Sequence, residues 1–172
     1  ATGAHPAAHG MIGNIWYDRA SGVTTYNIED PDHRLLTEGA DVEADTEIDP
    51  TQRAATRDGR SPMAILTTTF SDELASLTAG KARIFGVSVK DRGAVSMAGH
   101  TGKAFWFSKA SNQFVTSSYY YDEYPQWVVD WNARKIPESY ANTAWELLHP
   151  IDTYLFGEHD DHPMPDQHLG HA

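Results

Sequence analysis

The chain has 172 residues, 40% of them hydrophobic and 22% charged, the composition of a globular domain that buries its own core, which excludes disorder throughout. Its formal charge of -11 argues against polymeric nucleic acid and anionic membrane as partners, since both select basic surfaces, so any bound anion needs a local basic pocket. The absence of cysteine excludes disulfides and thiolate zinc sites and is compatible with an oxidising compartment, and no apolar run has the length of a transmembrane helix.

In chain order, the opening ATGAHPAAHG lacks an initiator Met and a signal-peptide pattern, and with the abrupt end DQHLGHA it reads as a segment of a longer polypeptide. IGNIWYDR and GVTTYNI, rich in β-branched and aromatic residues and separated by Ala20, Ser21 and Gly22, predict a β-hairpin. Residues 27–60 carry Glu29, Asp30, Asp32, Glu38, Asp41, Glu43, Asp45, Glu47 and Asp49 with few apolar residues, the pattern of a solvated acidic loop. A calcium loop is the sharper alternative, but the EF-hand spacing with its central Gly and closing Glu is missing.

Ser61 and Pro62 offer a capping hydroxyl and a ring preset for the first helical turn. Met63, Leu66, Phe70, Leu74 and Leu77 then recur at steps of three and four, which predicts one amphipathic helix ending near Gly80 and packing on a sheet. ARIFGVSV is almost continuously apolar, as in a strand covered on both faces, so helix and strand together form half of a βαβ unit. KAFWFS and QFVTSSYYY flank Lys109 to Asn112 and predict a second hairpin. Pro125 opens a helix with Tyr124, Trp127, Val128 and Trp131 on one side, and the aromatic crowd from Tyr119 to Trp127 is read as packing. The last stretch places His159, His162, His168 and His171 among Asp160, Asp161 and Asp166. Zinc or nickel binding is one reading; Pro163 and Pro165 prevent helical presentation of such ligands and favour a His-rich loop over 157–172.

Candidate chemistry concentrates at Lys90 and Arg92, where the apolar strand runs out. Ligands of open α/β sheets collect at the carboxyl ends of strands. In extended chain, positions 90 and 92 face one way and Asp91 the other, so a planar guanidinium fork and a movable ammonium converge on one anion, with phosphate the better fit. Lys-x-Arg is equally the pattern of a surface pair matched to nearby carboxylates, and the residues alone leave both readings open. His9 and His100 stand without ligand partners at close spacing and read as backbone-orienting groups; no metal ligand is assigned.

Taken together, HGMIGNIWYDR, FGVSVKDRGAVSMAGHTGKAFWF and FVTSSYYYDEYPQWVVDWN resemble the metal-dependent alkaline phosphatases of the PafA type, within the alkaline phosphatase and nucleotide pyrophosphatase superfamily. The likeness extends over most of residues 1 to 156. It implies an α+β unit, a mixed sheet with hairpins and flanking helices, forming a substrate-binding cap or insert over residues 1–172 of a larger α/β alkaline-phosphatase-like fold. It also implies that Asn14, Lys90 and Arg92 hold the phosphoryl group, with Lys90 and Arg92 stabilising charge in the transition state. The full-length protein would use two Zn2+ ions and a Thr or Ser nucleophile that forms a covalent phospho-enzyme, the ligands and the nucleophile lying outside this segment. Thr2 matches a later Thr-Gly of the family's helix and is left without that role.

Two cations suit a dianionic phosphate monoester better than a monoanionic diester. The charge count thus favours a phosphomonoesterase, and the resemblance implies a zinc-dependent one, periplasmic or secreted, whose partners are the monoester and the α/β catalytic core of the same polypeptide, the segment alone being inactive. The alternatives are a phosphodiesterase or nucleotide pyrophosphatase of the same superfamily, and a noncatalytic anion- or partner-binding module.

Overall fold

In the computed structural model, residues 2–40, 59–141, 143–144 and 146–155 are described, and the chain divides into two units, 1–134 and 135–172. The first unit opens with a single helical turn, α1 (Pro6–His9), closed by Gly10 at φ 79. The expected hairpin follows: β1 (Ile15–Asp18) pairs antiparallel with β2 (Val23–Tyr26), Ile15 opposite Tyr26 and Asp18 opposite Val23. Its turn is held by the Asp18 carboxylate, which accepts from the Ala20 N–H at 2.9 Å and the Ser21 hydroxyl at 2.7 Å.

The polar run after β2 departs from the solvated loop predicted for 27–60. Its two described ends are built into the core: Ile28, Leu35 and Ala40 are buried, Glu29 bridges Arg60, and Leu35 bridges Ser117. Three apolar residues suffice here because backbone pairing satisfies the polar groups around them. Asp30 is buried too, accepting from the Ser61 hydroxyl. The rest of the acidic run, 41–58, and all of the His-rich stretch, 157–172, lie outside the described residues.

The helix predicted from Ser61 starts eight residues later and is shorter: α2 spans Phe70–Leu77. Ser61 is buried, donating to Asp30 and accepting from the Met63 N–H, so its hydroxyl makes a turn instead of a helix cap. Thr69 caps instead, through a reciprocal box in which its hydroxyl accepts from the Asp72 N–H and the Asp72 carboxylate accepts from the Thr69 N–H. The apolar stripe is correspondingly split, and Met63, Leu66, Phe70 and Leu77 are exposed.

The second sheet has the order β3-β4-β5, with β3 (Phe85–Ser88) parallel to β4 (Lys103–Ser108) and β5 (Gln113–Val115) antiparallel to β4. Parallel neighbours need a crossover, and α3 (Asp91–Ala98) supplies it, completing a β3-α3-β4 unit. Helix and strand approach so closely that a Cβ at Gly86 would stand 2.2 Å from the Ala94 carbonyl oxygen. β3 is covered by α3 on this face only. Phe85, Val87 and Val89 are exposed, against the prediction of a strand covered on both sides. After β5 the chain reaches α4 (Gln126–Ala133), which begins after Pro125 and buries Val128.

One core joins the two sheets: Tyr26, Ile28, Leu35, Ala94, Val95, Ala98, Ala104, Trp106, Val115 and Tyr120 pack together, with Tyr119 and Tyr121 against them, so the tyrosine cluster is packing. The second unit contains α5 (Ile136–Ser139) and a 3-10 turn at Ile151–Thr153. A Lys135–Glu138 ion pair at 3.3 Å accompanies α5, and its described residues are mostly exposed. The fold is a mixed α+β arrangement.

Candidate active site

The turn between α1 and β1 and the first turns of α3 face each other across a cleft of about 490 Å³, whose walls include Thr2, His9, Asn14, Asn27, Arg92 and Ser96. Each wall has a local cause. Gly10 ends α1 in the left-handed region, and the His9 ring accepts from the Met11 N–H at 3.1 Å, folding the chain into the 11–14 turn. His9 is thus a backbone-orienting group. Asn14 then sits exposed at the mouth of β1, its carbonyl accepting from the Asn27 N–H at 2.9 Å, while Asn27 Nδ2 donates to the Gly13 carbonyl at 3.4 Å. Asn27 is buried, and its Oδ1 is without a hydrogen-bond partner among the described residues.

Arg92 enters from the opposite wall, half-buried in the first turn of α3. The positive end of the α3 dipole lies at this wall, and the Arg92 N–H there is taken by the Asp91 carboxylate at 2.7 Å. Of the three residues singled out in the sequence, Asn14 and Arg92 line the same cleft; Lys90 is not among its lining residues. Lys90 is the extended N-cap residue of α3, half-buried, with its N–H on the Ser88 hydroxyl at 3.2 Å. Side-chain alternation therefore ends at Lys90, because Asp91 and Arg92 are helical. Asp91 is buried, and it shares the Tyr26 hydroxyl with the Arg92 side chain instead of lying on the opposite side of an extended chain. Thr2 lines the cleft as well, its hydroxyl accepting from the Ala4 N–H at 3.2 Å.

Behind Arg92 lies a network that the sequence did not announce. Tyr26, Asp91 and Arg60 are all buried. Tyr26 Oη donates to Asp91 Oδ1 at 2.8 Å, Arg60 Nε donates to Asp91 Oδ2 at 2.8 Å, and the Arg92 N–H donates to Asp91 Oδ1 at 2.7 Å. The Arg60 guanidinium also lies 5.3 Å above the Tyr26 ring centre. Burial and the adjacent Asp91 charge push the Tyr26 hydroxyl well above the usual phenol range, so it stays protonated in alkaline solution. Arg60 had no visible signal: a cation in a polar run reads as solvated, and the remote Asp91 carboxylate helps to offset its burial.

A second network ties α2 to the turn after α3. The Asp72 carboxylate accepts from the N–H groups of Thr69, His100 and Thr101 and meets His100 Nδ1 at 2.8 Å, while His100 Nε2 meets the Ile65 carbonyl at 3.0 Å. Burial acts to raise the Asp72 carboxyl, but its bonds with His100, Thr69 and Thr101 outweigh that and hold it well below the ordinary carboxylate range. His100 is therefore engaged in orienting backbone. Among the described residues no three His, Asp or Glu side chains are grouped to hold a metal ion.

The profile of the family described as type I phosphodiesterase / nucleotide pyrophosphatase matches residues 1–165. The chain is 34% identical over 164 residues to alkaline phosphatase PhoV of Synechococcus elongatus and 34% identical over 163 residues to alkaline phosphatase PafA of Elizabethkingia meningoseptica. These matches cover 94% and 93% of the chain but 27% of each relative, so the chain spans about a quarter of their length. The crystal structure of wild-type PafA superposes with a TM-score of 0.70 at 33% identity, covering 88% of this chain and 27% of that one. A PafA variant substituted at a Thr, an Asn, a Lys and an Arg superposes equally, at 31% identity. The described fold thus corresponds to a segment of a larger alkaline-phosphatase-like fold, and the chain belongs to the type I phosphodiesterase / nucleotide pyrophosphatase family.

Proposed function

We propose that this chain is the phosphate-gripping cap or insert of a zinc-dependent phosphatase that hydrolyses phosphate monoesters through a covalent phospho-enzyme. One observation carries the reading: Asn14 and Arg92, far apart in sequence, line one cleft at the N-terminal end of α3. Arg92 presents a planar fork to two phosphoryl oxygens, and Asn14 offers a neutral amide donor to a third. Lys90, at the N-cap of the same helix, supplies a movable charge that swings to the anion when it binds. Negative charge spreads over these oxygens during phosphoryl transfer, and donors already in place stabilise it without reorganising.

The relatives' names support a phosphatase. The substituted PafA variant supports the residue assignment: its Asn, Lys and Arg appear in the same order as Asn14, Lys90 and Arg92, with the Lys and Arg again one residue apart. The described residues do not form a zinc site, and we assign the ligands of the two zinc ions, with the nucleophile, to sequence outside this chain. By itself the chain binds and orients the phosphoryl group and is inactive; the full-length protein acts in the periplasm or outside the cell, which cell fractionation tests.

The test is relative turnover of an aryl phosphate monoester and its diester by the full-length protein, with and without Arg92→Ala. Monoester preference, reduced more for the monoester than the diester by the substitution, supports the reading. The second reading, a diesterase or nucleotide pyrophosphatase, is favoured by the family description, and a strong diester preference establishes it instead. A full-length protein that hydrolyses neither ester with zinc supplied points to a noncatalytic anion- or partner-binding module.

A further inference from the structure

The network behind the cleft does more than fill the core. Its members meet Arg92 at two points: the Asp91 carboxylate takes the Arg92 backbone N–H at 2.7 Å, and the Arg92 side chain donates from Nη1 to Tyr26 Oη at 3.4 Å. We propose that Tyr26 is the positioning residue for Arg92, holding its guanidinium toward the cleft before any anion arrives. The inference rests on the reading of Arg92 as a phosphate-gripping group.

The direction of each bond follows from chemistry. A phenol carries one hydrogen, and an ionised carboxylate only accepts, so the Tyr26 hydrogen is committed to Asp91 Oδ1 at 2.8 Å. What remains on Oη is lone pairs, and these face Arg92, which only donates. The polarity of the chain Arg92 to Tyr26 to Asp91 cannot reverse. Oη itself has little freedom, because the ring is fully buried, stacked beneath Arg60 and packed in the core shared by both sheets. A neutral oxygen also orients the guanidinium without itself discharging it.

Local geometry explains why β2 supplies this residue. β2 ends at Tyr26 and the chain turns at Asn27, so the two neighbours serve different elements. At the end of β2, Tyr26 reaches the first turn of α3, while its neighbour Asn27 holds the Gly13–Asn14 turn through its backbone N–H and Nδ2. The two sides of the cleft are thus positioned from adjacent residues but through separate bonds. An Arg side chain loses substantial rotamer freedom when it grips an anion, and a partner that fixes it beforehand removes part of that loss from the bound state.

The test is a double-mutant cycle in the full-length protein, reading kcat/KM on an aryl phosphate monoester. Tyr26→Phe keeps the ring and its stacking, and Asp91 retains Arg60 and the Arg92 N–H as donors. A loss of about tenfold to a hundredfold is expected from misplacing a transition-state group. In an Arg92→Ala background the same change should cost less than about twofold, whereas with Asn14→Ala the full loss should persist, because coupling appears only between residues acting through one another. Should Tyr26→Phe fail to accumulate, 3-fluorotyrosine at 26 keeps the hydroxyl but weakens it as an acceptor, and a smaller loss, again confined to proteins that retain Arg92, is expected. No loss, or an equal loss with and without Arg92, overturns the positioning role. An Arg92→Ala protein as active as the unsubstituted one overturns the phosphate-gripping reading beneath it, an outcome distinguishable from the first two.

Discussion

Asp91 and Asp72 are two buried carboxylates in the first turns of eight-residue helices, α3 and α2, and they face different neighbours. Asp72 is held by N–H groups and hydroxyls from its own cap and from the turn after α3, with His100 alongside. Asp91 is held by a cation and a phenol brought from remote parts of the chain, and the residue after it lines the cleft. A buried, fully bonded carboxylate is therefore no sign of chemistry in itself. What lies on the far side of its partners decides: backbone for Asp72, Arg92 for Asp91.

The comparison breaks most visibly at the cleft. Arg92→Ala should lower monoester kcat/KM of the full-length enzyme by roughly 10³ or more, the scale of a cation on a transferring phosphoryl group. Steady-state kinetics on the purified protein checks it. Asp91→Ala should act on both fold and activity, since it strands Arg60 in the interior and removes the anchor of Tyr26. A stability loss of about 3–5 kcal/mol is expected from breaking a buried ion pair, read by urea unfolding.

Asp72→Ala sharpens the contrast. It removes the capping box and the His100 contact, so a loss of about 1–3 kcal/mol is expected, with kcat per folded molecule unchanged. A fall in kcat at constant folded fraction would tie the Asp72 network to the cleft, as Asp91 is tied to it.

The smallest effects are in pH dependence, and the two networks differ in sign. The Asp72 carboxyl titrates lower in the folded chain than in the unfolded one, so its contribution is complete above the ordinary carboxylate range and is lost as pH falls below about 4. Tyr26 titrates higher when folded, so its contribution is complete below about pH 10 and is lost as pH rises beyond that. Asp72→Asn should reduce the slope of the acid limb of the stability curve, and Tyr26→Phe that of the alkaline limb, to which Tyr119, Tyr120, Tyr121 and Tyr124, also raised by burial, continue to contribute. Denaturant midpoints measured across pH give both slopes.

Much of the local architecture was legible from residue order. The first hairpin, the β4-β5 hairpin and the start of α4 after Pro125 stand where patterning and turn residues indicate. The start of α2 was not, because two capping hydroxyls competed. Thr69 won through a reciprocal partner three residues on, while Ser61 was already claimed by Asp30 from another part of the chain. The cleft was half legible: Arg92 stood out by residue type and Asn14 through the family resemblance, but their shared wall, and the supporting roles of Tyr26, Asn27 and Arg60, did not.

By itself the sequence determined which stretches turn, pair or coil, since those preferences act over a few residues through φ, ψ and hydrophobic period. Tertiary structure alone decided which charges are buried and what they hold. The free energy of burying Arg60 or Asp91 depends on a partner delivered from a distant stretch of chain, and no local pattern carries that information.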